Sequence, residues 1–153
     1  MSDLISKLAS QTSANVYHCN SWNSFLDMDS VNQVLALAEE STERKARLCI
    51  HPNTMESSQI TILGFVAPYK DKLHHHPHRS ETLIPLIGTA ELSIYDKGGT
   101  NLLHKISLDA RSFQVVSYEK NTLHSMQVTS TQFSMLEIGS GPFTSNSTVY
   151  EEQ

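Results

Sequence analysis

The pattern of hydrophobic and polar positions changes character near position 45 of the chain. Before it, apolar residues recur at spacings of three and four, namely Val31, Val34, Leu35 and Ala38. Such spacing is typical of the buried face of an amphipathic helix. Ser30 stands where an N-cap is expected, with Gln33 three residues later, as in a capping box. The pattern predicts a helix over about 31–40, and a weaker helical pattern covers 3–8.

From Ala46 onward the chain consists of short β-type runs separated by turn residues. The runs are RLCIH, QITILGFVA, TLIPLI, AELSIYD, NLLHKISL, FQVVSY, LHSMQV and FSMLEI. The separators contain residues that turns favour, at Gly88-Thr89, Lys97-Gly98-Gly99, Asp109 to Ser112 and Lys120 to Thr122. Short strands at such regular spacing predict an antiparallel sandwich or barrel.

The alternation within individual runs indicates which faces are covered. AELSIYD places Ala90, Leu92 and Ile94 on one face, which predicts a strand with one solvent-facing side. ITILGFV is apolar on both faces, so we expect it to be covered on both. Pro85 inside a strand indicates an edge position or a bulge, because proline cannot donate to the ladder.

Length, charge and cysteine content narrow the class of protein. The 153 residues fit one domain of ordinary size. The net charge is −5 and the basic residues are scattered, so we expect no nucleic-acid partner. No apolar run approaches the roughly 20 residues that span a bilayer, and no secretion signal is evident. Cys19 and Cys49 then fit two free thiols, and the expected location is the cytoplasm.

Histidines are concentrated in the segment KLHHHPHRSETLIPLIG, residues 72–88. Residues two apart in a strand point the same way, so His74 and His76 share a face and His75 does not. Glu81 joins that face only if the chain turns between it and His76, and Pro77 supports such a turn. Two imidazoles and a carboxylate then converge on one point.

A fourth ligand has to come from a distant part of the chain, and His124 is the candidate. In TLHSMQV it shares a face with Met126 and Val128 rather than with the polar residues between them. Alone, His124 fits a core histidine with satisfied nitrogens better than a ligand, and the presence of His74, His76 and Glu81 reverses that preference. The cluster has an alternative assignment, in which His76 and His78 act with Glu81, although Pro77 then lies at a turn between the two ligands.

These residues resemble the cupins, small β-barrels with an internal metal. The spacing His-x-His-x4-Glu-x6-Gly is met by His74, His76, Glu81 and Gly88, and His124 occupies the place of the histidine in the second cupin motif. That motif usually has a proline and a glycine where Glu119 and Asn121 stand here. Asn tolerates a left-handed backbone, so the turn can survive.

The resemblance narrows to the WbuC-type cupin metalloproteins through ARLCIHP, PYKDKLHHHPHRSE and EIGSGPF. It implies an all-β cupin (jelly-roll) antiparallel β-barrel with a short N-terminal helical segment. The expected organisation is a helical extension over 1–45, a cupin barrel over 46–143 and a frayed tail over 144–153. A homodimer is expected from the resemblance alone.

The implied site holds one divalent metal ion on three histidines and one glutamate, with positions left open to water or substrate. The types of ligand do not determine whether the bound ion is Fe, Mn, Ni, Co or Zn. Four residues are candidates to bind substrate or to stand at the barrel rim: Tyr69, Arg47, Gln59 and Glu137. His51 and His104 are expected to be ordinary surface or half-buried residues, and His18 to lie outside the barrel.

The function expected from this site is metal-dependent action on a small polar molecule. A sugar or sugar nucleotide of bacterial surface-polysaccharide metabolism is implied by the WbuC resemblance. An isomerase or epimerase needs an acid and a base, for which Tyr69, Glu137 or a metal-bound hydroxide is available. The alternatives are an iron-dependent dioxygenase, a non-catalytic binding or sensor protein, and a surface histidine loop with adventitious metal binding.

Overall fold

The computed structural model describes residues 4–151. It contains two helices, α1 (Leu4–Leu8) and α2 (Met28–Glu40). The strands are β1 (Ala9–Ser13), β2 (Val16–Cys19), β3 (Lys45–Cys49), β4 (Ser58–Val66), β5 (His74–His75), β6 (Glu81–Tyr95), β7 (Leu102–Asp109), β8 (Val116–Tyr118), β9 (Leu123–Ser140) and β10 (Val149–Tyr150). The predicted all-β class with a short N-terminal helical segment is confirmed.

The strands form one hydrogen-bonded sheet that bends around its own interior. Along it the order is β1-β2-β3-β4-β9-β5-β10, and β6 pairs with β7, β8 and β9. Among the described strands every pairing is antiparallel except that of β2 with β3. This parallel pairing brings the N-terminal segment alongside the barrel strands, so the sheet continues across the boundary expected at position 45.

Two pairs of predicted runs are each a single long strand. TLIPLI and AELSIYD together form β6, and the turn expected at Gly88-Thr89 is instead a register shift between Gly88 and Ala90. Gly88 has a φ of 74°, and a Cβ atom there would lie 2.0 Å from the carbonyl oxygen of Gln132, so the bulge requires glycine. A second shift at Pro85 confirms the predicted bulge. LHSMQV and FSMLEI likewise merge into β9.

Helix α2 begins one turn earlier than the pattern predicted. Asp27 is the N-cap, and its carboxylate accepts a hydrogen bond from the Ser30 backbone at 3.1 Å. The Ser30 hydroxyl accepts in return from the Asp27 backbone, so Ser30 occupies the third helical position of the capping box rather than the cap. Within residues 4–151, no helix has the length and apolar character needed to cross a membrane.

The sheet has a separate hydrophobic cluster on each face. Helix α2 packs Val31, Val34 and Ala38 against the outer face of β3 and β4. The inner cluster lies inside the barrel around Phe65 and Phe133. The prediction that ITILGFV is covered on both faces is confirmed, because alternate residues of β4 belong to the two clusters.

The tail after position 143 is not frayed over its described part, in contrast to the prediction. Val149 and Tyr150 pair with His75 and His74 and add a strand to the edge of β5. The carbonyl oxygen of Ser147 accepts a hydrogen bond from the His76 ring at 2.8 Å. The polar composition of the tail suggested exposure, but backbone groups of any composition can pair with an open strand edge.

Candidate metal centre

A cavity of about 320 Å³ lies on the inner face of the sheet. Its floor is apolar and includes Leu63, Phe65 and Met135. Exposed residues such as Thr12, Thr54 and Tyr150 mark its mouth. The charged residues on its wall are Lys45, Arg47, Asp71, Arg79, Glu81 and Glu137. A concave, mostly preformed space with a few convergent polar groups is typical of a small-molecule site.

Three histidines converge on the cavity from two strands. His74 lies on β5 directly opposite His124 on β9, and His76 follows one residue after β5 ends. One ring nitrogen of each lies within 4.8 Å of the corresponding nitrogens of the other two. His76 and His124 are buried and His74 is half-buried. The structure thus brings together the histidines that sequence reasoning selected.

Backbone carbonyl groups fix the orientation of all three rings. Each Nδ1 forms a hydrogen bond to a carbonyl oxygen: His74 to Lys72 at 2.7 Å, His76 to Ser147 at 2.8 Å and His124 to Thr122 at 2.8 Å. A carbonyl oxygen only accepts, so each Nδ1 carries the hydrogen. In the neutral ring the lone pair is then on Nε2, which is the arrangement that metal-binding histidines adopt.

Glu81 completes the cluster from the first position of β6. Its Oε1 lies 3.3 Å from Nε2 of His76, and its Oε2 lies 3.8 Å from Nε2 of His124. Burial lowers the pKa of His76 and lowers that of His124 to about 4, so both rings are neutral at pH 7. Lone pairs of Glu81 and His76 therefore face each other without a proton between them, whereas the Tyr118 hydroxyl lies beside both Oε2 of Glu81 and Nε2 of His124. A bound cation would relieve the repulsion between Glu81 and His76. The donor set fits a divalent ion.

Neighbouring groups hold Glu81 in its ionised form. Burial alone would raise its pKa, but His76, Arg79 and the hydrogen bond from Tyr118 lower it below the ordinary value. The Tyr118 hydroxyl donates to Oε2 at 2.7 Å, and burial raises the pKa of that hydroxyl well above its usual range. The carboxylate is thereby oriented and remains charged.

Arg79 connects Glu81 to a second carboxyl group, Glu137 on β9. Its Nε donates to Glu81 at 2.9 Å, and its Nη2 donates to Glu137 at 2.8 Å. Burial, followed by the negative charge of Glu81, raises the pKa of Glu137 to about 7. One of the two linked carboxyl groups is thus ionised at neutral pH, whereas the other is near its midpoint, as in acid–base sites.

The four candidate substrate residues divide into three that line the cavity and one that does not. Arg47, Gln59 and Glu137 line it, whereas Tyr69 lies behind the wall. The Tyr69 hydroxyl donates to Asp71 and accepts from Lys45 at 3.1 Å. The Gln59 amide donates to the carbonyl oxygens of Thr54 and Glu56, at 2.9 and 3.0 Å. Within residues 4–151 the Arg47 guanidinium has no carboxylate within 4.0 Å.

Two of the remaining histidines, His18 and His51, lie in places other than those predicted. His18 was expected outside the barrel, but the parallel pairing of β2 with β3 places it in the cavity wall. His51, expected at or near the surface, is only 1 % exposed. His104 and His78 are exposed, and His75 faces Glu151 outside the cavity. The alternation in VYHC is compatible with a short strand that carries His18 on one face. Nothing in the local sequence indicates that this strand pairs with β3.

Comparison with known proteins gives structural matches only. No protein-family model matches the chain, and no curated protein matches it. The capsular polysaccharide assembling protein CapF from Staphylococcus aureus superimposes with a TM-score of 0.64 at 12 % identity, over 74 % of this chain and 31 % of that one. Oxalate oxidase bound to glycolate gives 0.57 at 14 %, over 72 % and 56 %. Lactobacillus farciminis oxalate decarboxylase gives 0.58 at 16 %, over 72 % and 32 %.

The chain has the cupin fold. It spans about a third of the CapF and decarboxylase chains and just over half of the oxidase chain. Identities this low show the fold alone. The cupin barrel explains why the histidine cluster faces inward, because alternate residues of each barrel strand point into the interior.

Proposed function

We propose that this cupin is a metal-dependent protein in which His74, His76, His124 and Glu81 hold one divalent ion. The observation that carries the proposal is the orientation of the three rings. Each presents an unprotonated Nε2 toward the others, and two of these nitrogens face a buried, ionised carboxylate. Fe, Mn, Ni, Co and Zn all accept this donor set. When bound, such an ion polarises an oxygen of the substrate.

The substrate that the cavity suits best is a small polar molecule with a negative charge. Arg47 faces the cavity without a carboxylate partner in the described part of the chain. Guanidinium groups bind carboxylates and phosphates in a two-point geometry. A volume of about 320 Å³ accommodates a sugar or part of a sugar nucleotide. These features support an anionic sugar derivative as the ligand.

We assign the protein to the WbuC-type cupins and to bacterial surface-polysaccharide metabolism. This assignment is supported by the motif His74-x-His76-Pro77 and by the flanking segments ARLCIHP and EIGSGPF. It is also consistent with the fold of CapF, which is named as a capsular polysaccharide assembling protein. The homodimer implied by the same resemblance stays a prediction, which sedimentation velocity of the tag-free protein checks.

An acid–base reaction such as isomerisation or epimerisation is the reaction class that the cavity supports. Glu137, with a pKa of about 7, can accept a proton from a substrate and return it. Arg79 holds that carboxyl group in place, and Arg47 is positioned to bind the charged part of the substrate. Binding without turnover would instead identify a sensor protein, and oxygen consumption with iron alone would identify a dioxygenase.

The proposal is tested by titrating tag-free, metal-stripped protein with Mn²⁺ under electron paramagnetic resonance. We expect one bound Mn²⁺ per chain, loss of that ion in His124→Ala, and normal binding in His78→Ala, since His78 is exposed and outside the cavity. Sugar nucleotides should then change the spectrum of the bound ion, and mass spectrometry should detect a product. Equal Mn²⁺ affinity of His124→Ala and the unaltered protein would contradict the site.

A further inference from the structure

A second group of metal-ligating side chains lies in the same cavity wall, apart from the histidine cluster already described. It consists of His18, Cys49 and His51, which are 6 %, 6 % and 1 % exposed. One donor atom of each lies within 4.8 Å of the donor atoms of the other two. The group shares no residue with the first cluster and contains a thiol, which the first cluster lacks.

The fold brings these three residues together through strand register. His18 on β2 is directly opposite Cys49 on β3 in the parallel register of these two strands. His51 follows two residues after Cys49, where β3 has ended. Successive residues of a strand alternate between faces, so Cys49 points into the cavity, whereas Cys19 packs in the cluster beneath α2. The two cysteines of the chain therefore stand on opposite faces of the sheet.

The hydrogen bonds of the group leave Nε2 free to ligate a metal on His18, and on His51 in one of its two tautomers. Nδ1 of His18 donates to the carbonyl oxygen of His51 at 3.1 Å, so its Nε2 carries the lone pair. Nδ1 of His51 lies 3.0 Å from the Ile60 carbonyl oxygen, to which it donates in one tautomer, and 3.1 Å from the Ile60 backbone N–H, from which it accepts in the other. Each tautomer satisfies one of these two contacts and gives up the other. The tautomer that donates to the carbonyl presents an unprotonated Nε2. The Thr61 hydroxyl contacts the Cys49 sulfur at 3.8 Å.

We propose that His18, Cys49 and His51 form a second metal site in this protein, specific for a thiophilic cation such as Zn²⁺. Two imidazoles and one thiolate are a soft donor set, which favours Zn²⁺ or Cu⁺ over Mn²⁺ and Mg²⁺. Three protein ligands leave the fourth tetrahedral position open to the cavity, as in zinc sites that bind water or substrate. The second cluster thus favours softer cations than the first cluster does.

The ionisation of His51 favours metal binding at this site, whereas that of Cys49 opposes it until the metal displaces the thiol proton. Burial lowers the pKa of His51, so that ring is neutral and able to ligate at pH 7. Burial also raises the pKa of the Cys49 thiol to about 11, so without a metal it remains protonated and unreactive. Binding replaces the S–H bond with an S–metal bond and releases the proton to solvent. Zn²⁺ with one thiolate and two neutral rings has a net charge of +1.

Cobalt substitution tests the site independently of the proposed function. Tag-free, metal-stripped protein is titrated with Co²⁺, which gives a near-ultraviolet charge-transfer band only when a thiolate is a ligand. We expect this band in the unaltered protein, in Cys19→Ser and in His124→Ala. It should be absent in Cys49→Ser. His18→Asn, which keeps a donor near the His51 carbonyl but removes Nε2, should weaken Co²⁺ binding at this site at least tenfold.

Two outcomes would overturn the proposal. One is the absence of a charge-transfer band in the unaltered protein, and the other is a band that persists in Cys49→Ser and disappears in Cys19→Ser. Circular dichroism establishes that each variant is folded. X-ray absorption at the zinc edge of His124→Ala, which lacks one ligand of the first cluster, is a second test: the proposal predicts one sulfur at about 2.3 Å from Zn²⁺, and a shell of nitrogen and oxygen alone would refute it. Neither result depends on whether Mn²⁺ binds the first cluster.

Discussion

The two faces of strands β3 and β4 differ in polarity and in what they contact, although the same two strands form both. On the outer face, Ala46, Leu48 and Ile62 pack beneath α2 in a continuous apolar cluster. On the inner face, Arg47 and Cys49 alternate with them and line the cavity. The period of two in a β-strand thus allows adjacent positions to serve stability and chemistry separately.

The difference follows from what each face has to exclude. The outer face excludes water completely, so side chains without polar atoms suit it best. The inner face surrounds an open cavity, where charged groups keep some solvent or pair with each other, as Lys45 does with Asp71 at 3.7 Å. Substitutions on the outer face should therefore reduce stability, and substitutions on the inner face should change binding and ionisation.

The largest effect is expected from Leu48→Ala on the outer face. Leu48 is fully buried beneath α2, so truncation leaves a cavity and should reduce the free energy of unfolding by about 2–5 kcal/mol. Urea denaturation measures the loss. Mn²⁺ affinity of the folded variant should be unchanged, since Leu48 does not line the cavity. A loss below about 1 kcal/mol, or a large change in metal affinity, would contradict the separation of the faces.

The next effect concerns the pH dependence that Glu137 contributes from the inner face. Its pKa of about 7 lies above the ordinary value of 4.5. The folded chain therefore holds a proton that the unfolded chain releases between these values, and stability is lost as the pH rises from about 4.5 to about 7. The loss should be about 3 kcal/mol.

Glu137→Gln should remove this pH dependence in urea denaturation of the metal-stripped protein. Carbon NMR of the labelled glutamates should show one carboxyl group that ionises near pH 7 and disappears from the spectrum of the variant. Nearby charged groups also influence the pKa of Glu137: Glu81 raises it, and three cations lower it, namely Arg79, Arg47 and Lys45. A glutamate set that titrates entirely below pH 5 would show that Glu137 is an ordinary carboxylate.

Arg47→Met is the inner-face counterpart of Leu48→Ala. Methionine keeps most of the apolar stem, so the free energy of unfolding should change by less than about 1 kcal/mol. Affinity for an anionic sugar nucleotide should fall about 10- to 100-fold, because a charge-assisted hydrogen bond contributes about 1.5–3 kcal/mol. Calorimetry with the metal-loaded protein measures the affinity. Unchanged affinity would show that Arg47 does not bind the anionic ligand.

An effect of the same size as that of Arg47→Met, but on the metal instead of the anion, is expected from Tyr118→Phe. Its hydroxyl donates to Glu81 at 2.7 Å and orients the carboxylate for the metal. Loss of such a contact typically weakens metal binding by about 10- to 100-fold. Competition between Mn²⁺ and a chelator measures the change, and Tyr95→Phe, a half-buried tyrosine outside the cavity, is the matched control. Equal affinities of the two variants would show that Tyr118 has no influence on the ion.

The elements that local pattern predicted well are those whose alternation is strong. The predicted apolar face of α2 is buried, and β4 is covered on both faces as predicted. Both features follow from the periodic spacing of apolar residues within a single segment, which the sequence shows directly. Gly88 forms a bulge instead of the predicted turn, because turns and bulges both favour glycine at a positive φ and the local sequence does not distinguish them. Helix α2 begins earlier than expected because the cap used Asp27 instead of Ser30.

Contacts between distant segments set the limit of sequence reasoning about the site. His74, His76, Glu81 and His124 could be grouped from their spacing and from the cupin resemblance. The role of Ser147 in orienting His76 depends on where the tail returns, and the position of His18 depends on which strand β2 joins. Arg79 was not singled out either, because only the fold brings it between two carboxyl groups.

We propose that four side chains, on β6, on β9 and in and directly after β5, hold one ion inside the barrel. Anomalous diffraction from crystals grown with Mn²⁺ tests it directly. We expect a peak on the inner face, about 2.0–2.3 Å from Nε2 of His74, His76 and His124 and from a carboxylate oxygen of Glu81. A peak at the exposed His78, or one that leaves His124 without contact, would contradict it.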